Sequence, residues 1–165
     1  MNKKSDCGNE KGAGLLELVA AMPLIALLFA GIGTAFAYGF HAYICLLSDW
    51  TLQEQVGYAM ECMTTDLRYA EDVKIEDGKL RVFCRAAGGP AEWVRYEKTR
   101  ETSARMMKDG QPLTGQSTMG TITIERFEIE IPFERTVVIH LAGKNQLTDQ
   151  IYELETAVTW TGKNT

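Results

Sequence analysis

The sequence predicts an α+β fold in which one long N-terminal helix packs on an antiparallel β-sheet. Two observations predict this fold. Residues 18–48 contain no Asp, Glu, Lys or Arg, and the chain beyond them continues in a helical pattern. After residue 72, short segments rich in Val, Ile and Thr alternate with turn residues, which is typical of strands. The helix therefore comes first along the chain and the strands follow it.

The first part of the predicted helix is long and apolar enough to span a membrane. About 20 apolar residues cross the hydrocarbon core as a helix, and residues 18–48 exceed that length. Lys3, Lys4 and Lys11 precede this run. Because basic residues stay on the cytoplasmic side, the N-terminus is expected in the cytoplasm and the C-terminal part outside. The pattern predicts a single-pass membrane protein.

A secretory signal peptide is the alternative interpretation of the same segment. Ala35-Phe36-Ala37 would serve as its cleavage site, and cleavage there would release a secreted or membrane-tethered binding protein or hydrolase. Against this alternative, Glu17 stands at the start of the apolar run, where burying a carboxylate costs free energy. A disposable signal gains nothing from that residue. The run also continues past Ala37 through aromatic residues that suit a membrane interface.

Residues 11–19, which read Lys-Gly-Ala-Gly-Leu-Leu-Glu-Leu-Val, resemble the cleavage and methylation motif of type IV prepilins. The resemblance implies that a prepilin peptidase cuts after Gly12 and that Ala13 becomes the N-methylated first residue. It also implies that Glu17 neutralises the new α-amine of a neighbouring subunit, as the matching Glu does in related filaments. Two positions depart from the family pattern: Ala13 stands where Phe or Met is frequent, and Gly14 where Thr or Ser is usual.

The resemblance implies a pilin-like roll with three parts. Residues 1–12 would be the leader, residues 13–48 the transmembrane and filament-core helix, and residues 49–165 the rest of the helix with a β-sheet head. Segments 59–68 and 152–158 look more like minor pilins and pseudopilins than like the major subunit. The chain is thus expected to be no enzyme but a minor pilin of a type IV pilus. The alternatives are pseudopilins of a type II secretion system or of a DNA-uptake filament.

The resemblance also implies a location and a set of partners. The protein would reside in the bacterial inner membrane and then in the pilus or pseudopilus. Its partners would be other pilin subunits, through the N-terminal helix, together with the prepilin peptidase and the inner-membrane assembly platform.

The second half of the long helix is predicted to be amphipathic. Apolar residues recur there at three- and four-residue steps, as expected for a face that packs on a sheet. These residues are Leu52, Val56, Ala59, Met63, Leu67 and Ala70. Polar residues are expected on the remaining surface: Gln53, Glu54, Glu61, Asp66 and Arg68.

Seven strands are predicted in the head, with Asp77-Gly78 as the strongest hairpin signal and Asp109-Gly110 as a second turn. The predicted strands are 73–76, 79–84, 92–98, 103–108, 121–131, 136–141 and 152–159. Segments 86–90 and 115–120 are interpreted as loops. Phe127, Ile129 and Ile131 are expected to face the core from one strand.

Cys62 and Cys84 lie in the part predicted outside the membrane, where an oxidising compartment would let them form a disulfide. The alternative is two small buried thiols. The four cysteines of the chain form no CxxC pair and have no histidine at zinc-site spacing.

Charge and histidine placement favour neither nucleic-acid binding nor catalysis. The net charge of −5 argues against a surface selected for phosphate backbones. His41 lies in the apolar run, and His140 is expected on the solvent side of a strand with no nucleophile at a recognisable spacing. No cofactor is predicted.

Two groups of residues in the head are candidate binding sites. The acidic residues at 71, 72, 76 and 77 could hold calcium, but they do not match an EF-hand, so a solvated face and no metal are expected. Trp50, Trp93 and Trp160, with Arg95 and Arg100, could bind an extended polymer. Ordinary use of these residues in the core and at its rim is the alternative.

Overall fold

The computed structural model describes residues 9–85, 90–115, 121–160 and 162, and it describes side chains from Glu17 onward within those ranges. The chain divides into two compact units, Met1–Tyr43 and Ile44–Thr165. Most of the predicted leader lies outside the described part, and at Gly12 and Ala13 the structure describes the backbone alone. Most of the two predicted loops also lies outside the described part.

The long helix predicted from the sequence is present. Helix α1 spans Asn9–Arg68, a length of 60 residues, and it contains Pro23. A proline inside a helix supplies no backbone N–H, yet the helical assignment continues on both sides of it. The α+β prediction is confirmed at this level: a long N-terminal helix is followed by antiparallel strands.

The strands form two antiparallel sheets, so the prediction of a single sheet was wrong. The first sheet has five strands in sequential order: β1 (Ala70–Glu76), β2 (Lys79–Arg85), β3 (Ala91–Lys98), β4 (Met106–Lys108) and β5 (Gln111–Pro112). The second has three: β6 (Ile122–Phe133), β7 (Thr136–Asn145) and β8 (Ile151–Thr159). The five-stranded sheet ends in its two shortest strands. Pro112 has no N–H to continue the ladder, and the next long strand pairs elsewhere.

Turns account for most of the strand boundaries. Asp77 and Gly78 both have positive φ, 53° and 72°, as a two-residue hairpin turn requires. The strand predicted at 103–108 is only three residues long, because Thr99 holds Arg105 in a loop: the Thr99 hydroxyl accepts a hydrogen bond from the Arg105 N–H at 2.8 Å. The Ala104 carbonyl instead accepts a bond from the N–H of Ile124, in the second sheet, at 2.7 Å.

The core lies between the second half of α1 and both sheets. All six residues of the predicted apolar stripe are at most 1% exposed, which confirms the stripe. Ala70, the last of them, belongs to β1 rather than to the helix. The sheets contribute further fully buried side chains to the same cluster, among them Leu80, Val82, Tyr96, Met106, Ile122, Ile124, Val137, Ile139 and Leu141.

A bulge in β6 changes which residues face the core. The pairing with β7 shifts register between Ile124 and Arg126, so the inward parity changes from even to odd numbers. Phe127 and Ile129 then pack against the core and are half-buried, as predicted. Ile131 is 43% exposed, so its predicted packing was wrong. It lies near the end of a strand that runs past the core.

Candidate functional site

The proposed processing site lies at the beginning of α1. The backbone at positions 12 and 13 is helical, and Glu17 follows about one turn later. The Glu17 side chain is exposed. It is therefore open to a partner outside its own chain.

The helix after Glu17 carries exposed apolar side chains around its whole circumference. Leu27, Leu28 and Phe29 are 70%, 64% and 71% exposed, and three consecutive residues point in three different directions on a helix. The most apolar stretch of this helix has a mean hydropathy of 2.2, and none of it is buried. A helix that is apolar on all sides belongs in a membrane or in a large protein core. By length and composition this helix can cross a membrane.

A buried polar cluster joins α1 to the turn between β7 and β8. Asn145 is fully buried, and its side-chain amide donates to the Ser48 hydroxyl and to Asp49 Oδ1, both at 2.8 Å. Its carbonyl oxygen accepts a bond from the Leu147 N–H at 3.0 Å. The Thr148 hydroxyl donates to the same Asp49 oxygen. Every polar atom of the Asn145 side chain is thus satisfied, which is what makes a buried amide tolerable.

Sequence reasoning missed this cluster. In the sequence, Ser48 is the last residue of the apolar run and Asp49 is the first charged residue after it. Asn145 precedes a turn, where asparagine is common for local reasons. The pairing spans more than ninety positions along the chain, and no local pattern signals it.

A second polar cluster lies inside the head, around Asp66. The Tyr96 hydroxyl donates to Asp66 Oδ2 at 2.6 Å, and the Lys108 ammonium lies 2.9 Å from the same oxygen. Burial, and then the bond to Asp66, raise the pKa of Tyr96 far above its usual value. Burial alone would lower the pKa of Lys108, but the bond and the charge of Asp66 outweigh it, so that pKa is raised. Asp66, predicted on the surface, is in fact half-buried.

The Asp66 cluster is arranged for stability rather than for chemistry. Tyr96 is fully buried, so its hydroxyl is not presented to a substrate. Its raised pKa keeps the proton on the phenol at neutral pH. The carboxylate and the ammonium neutralise each other across 2.9 Å.

Cys62 and Cys84 are free thiols in the structure, and the disulfide between them stays a prediction. Cys84 is buried, and Cys62 is half-buried against the core. Burial, and then the charge of Asp66, raise the pKa of the Cys84 thiol. A protonated thiol is a weak nucleophile.

Among the remaining candidate residues, Trp93 lies beside Arg95, Glu71 and Asp72. His140 lies opposite Glu128 and Glu155, on the side of β7 away from the core, as predicted. Among the described residues, no group of three or more His, Cys, Asp or Glu side chains is placed to hold a metal ion. Trp160 packs against the core, whereas Trp50 is 71% and Trp93 43% exposed.

Comparison with known proteins returns no match: no family model, no curated protein and no solved structure is similar to this chain.

Proposed function

We propose that this chain is a pilin-like subunit, anchored in the bacterial inner membrane by α1 and incorporated as a minor component into a type IV pilus or a related filament. The observation that carries the proposal is a carboxylate, Glu17, directly before residues 18–48 of α1, a stretch that has no Asp, Glu, Lys or Arg and exposes apolar side chains on every side. The prepilin-like residues 11–19 surround it.

The energetics of Glu17 explain why a partner is needed. A carboxylate within an apolar bundle costs several kcal/mol, about 3 at the membrane centre and less near the edge. Pairing with a positive group offsets that cost and fixes the relative position of the two helices. Cleavage after Gly12 would create such a group, the α-amine of Ala13, on every subunit. Glu17 of one subunit would then bind the terminus of its neighbour.

The exposed apolar surface of α1 supports the same proposal. In the membrane the lipid covers it, and in a filament the helices of other subunits do. The head carries its own core, formed by the second half of α1 and the two sheets. It could therefore remain folded in both settings. Inside the head, Asp66 binds both the Tyr96 hydroxyl and the Lys108 ammonium, which supports a structural role for this cluster.

The experiment is to express the full chain in a cell that has a prepilin peptidase and assembles filaments, and to compare three variants. Glu17→Val should be cleaved and remain in the membrane, but its amount in sheared filaments should fall at least about tenfold, since a lost buried charge pair is worth more than 1.4 kcal/mol. Gly12→Val should keep the leader. Glu54→Val is the matched control, because Glu54 is an exposed glutamate on the same helix within the head; its incorporation should not change.

Normal incorporation of Glu17→Val would contradict the proposal. A fall of the same size for Glu54→Val would also contradict it, because the effect would then follow from any loss of charge on α1.

A further inference from the structure

The outer face of the five-stranded sheet carries an aromatic pair. Phe83 and Trp93 lie directly opposite each other on β2 and β3. Their ring centroids are 5.2 Å apart, with the planes inclined by 44°. Trp93 is 43% exposed in a position surrounded by charged side chains. One exposed aromatic residue needs no explanation by itself, but its surroundings are specific.

Two open clefts share Trp93 as a wall. One has a volume of about 420 Å³ and is lined by Arg81, Arg95 and Asp109 as well as the indole. The other, of about 330 Å³, is lined by Glu71, Asp72 and Phe83 together with it. Both volumes fall at the small end of the range found for ligand sites. A chain-like ligand crossing this face would contact the indole in its middle and charged groups on both sides.

The positively charged residues beside the aromatic pair are placed in an arrangement that destabilises the sheet. Lys74, Arg81 and Arg95 lie directly opposite one another on three adjacent strands, and like charges in that register destabilise a sheet. Each has a carboxylate neighbour, with N···O distances of 3.9, 3.0 and 3.2 Å respectively.

The guanidinium of Arg95 is also incompletely hydrogen-bonded, which is unfavourable. Its Nε is shielded from solvent and has no hydrogen-bond acceptor among the described residues. Proteins tend to accept such local conflicts where they serve a function.

The balance of charges indicates the ligand. The clefts present guanidinium groups on one side of Trp93 and carboxylates on both sides. An acidic chain would meet Glu71 and Asp72, and a basic chain would meet Arg81 and Arg95. A neutral chain rich in hydroxyl groups fits both, because a hydroxyl accepts from a guanidinium and donates to a carboxylate. The apolar C–H face of a sugar ring packs on an indole in the way that other apolar groups do.

We propose that the two clefts flanking Trp93 bind a neutral oligosaccharide chain, with one sugar ring stacked on the indole and its neighbours hydrogen-bonded by Arg81, Arg95 and the carboxylates. The Lys74 ammonium lies 5.0 Å from the centre of the Trp93 ring. Its ion pair with Asp72 is long, at 3.9 Å. It moves aside when the sugar binds and donates to a hydroxyl. This site is independent of the anchor helix and of the function proposed for it.

The test uses the full chain in an amine-oxide detergent, because sugar-based detergents would compete. A glycan array of neutral and acidic oligosaccharides identifies the ligand class, and isothermal titration calorimetry with the best neutral glycan gives the affinity of each variant. Trp93→Ala should weaken binding about tenfold, equivalent to about 1.4 kcal/mol, because it removes both the stacking contact and its buried area. Arg81→Ala should weaken it several-fold. Phe133→Ala is the control: Phe133 is a 73% exposed aromatic residue on the other sheet.

The outcomes separate the alternatives. Binding of a neutral glycan that depends on Trp93 and Arg81, is unaffected by Phe133→Ala and changes little with salt supports the proposal. It is overturned if no neutral glycan binds, if binding survives both substitutions, or if only acidic glycans or peptides bind in a salt-dependent way. Circular dichroism of each variant shows that it is folded. If Trp93→Ala is not folded, Arg81→Ala, whose side chain is 44% exposed, decides the question alone.

Discussion

At the scale of single residues, the head depends on a few buried polar groups that are fully satisfied. Asn145 is the clearest case, because its amide bonds to Ser48 and Asp49 on α1 while its carbonyl holds the turn that follows β7. Asp66 has a similar role, with Tyr96 and Lys108 as partners. Such clusters contribute little net free energy when complete, but losing one member leaves the others buried and unpaired.

Replacing Asn145 by Ala should therefore destabilise the head. The substitution removes two hydrogen bonds to α1 and leaves the buried Ser48 hydroxyl without its donor. We expect the free energy of unfolding to fall by about 2–3 kcal/mol, measured by urea unfolding of the detergent-solubilised full chain. Gln146→Ala is the control, since the Gln146 side-chain amide donates an exposed hydrogen bond to the Thr123 hydroxyl. A change of under about 0.5 kcal/mol is expected there. Equal effects of the two substitutions would contradict the role assigned to Asn145.

The Asp66 cluster predicts how stability depends on pH. The pKa values of Tyr96 and Lys108 are raised in the folded state. As pH rises above about 10, the unfolded chain therefore loses these protons before the folded chain does. Stability should be full below that pH and should decline above it.

Replacing Tyr96 by Phe should reduce that alkaline decline, because one of the two shifted groups is gone. Unfolding measured between about pH 8 and 11, where ordinary tyrosines and lysines titrate, is the test. Tyr69→Phe, at a residue that is 72% exposed, serves as the control. If Tyr96→Phe and the native chain lose stability with the same slope, the account of this cluster is wrong.

At the scale of elements, the packing of α1 on β7 depends on a close approach at Gly143. A Cβ at this position would lie 2.6 Å from Val56 Cγ2 and 3.0 Å from Leu52 Cδ1. Both neighbours belong to the buried stripe of the helix. Valine in a helix is held in one preferred rotamer, so it cannot easily turn away. The absence of a side chain on β7 thus sets how closely α1 and this strand pack.

Gly143→Ala should cost about 1–3 kcal/mol of stability through overpacking, even though alanine is otherwise favoured over glycine in a strand. Gly57→Ala offers a matched comparison on α1, because a Cβ there meets nothing within 4 Å. It should stabilise the helix by up to about 1 kcal/mol. Thermal unfolding should show a lower Tm for Gly143→Ala and a higher Tm for Gly57→Ala than for the native chain. A stabilised Gly143→Ala would contradict the close packing.

Some elements of the head could be predicted from local sequence patterns, and others could not. The buried stripe of α1 and the hairpin at Asp77-Gly78 follow from local periodicity and turn chemistry, and both were predicted. The division into two sheets, the short strand β4 and the exposure of Ile131 were not. They depend on long-range bonds, such as that between Ala104 and Ile124, and on a bulge that changes parity. Local patterns carry no information about either.

Local sequence patterns also reveal only part of the candidate site. Glu17 could be singled out from the sequence because a charge beside a long apolar run is conspicuous by itself. Neither the clusters at Asn145 and Asp66 nor the register of Lys74, Arg81 and Arg95 could be found in that way. Each depends on which strands become neighbours.

At the scale of the whole molecule, the chain combines an apolar helical unit and a head with its own core. The described side chains of the apolar unit are almost all exposed, and by length and composition this helix can cross a membrane. In the head, the apolar stripe of α1 is already buried against the two sheets. We therefore expect the N-terminal unit to carry assembly and the head to carry recognition.

The most direct test of the central claim is the N-terminal sequence of the mature protein extracted from membranes of cells that contain a prepilin peptidase. The account predicts a chain that begins at Ala13, with an N-methyl group, and retains Glu17 near its terminus. A chain that begins at Tyr38, or one that retains the first twelve residues, would contradict it.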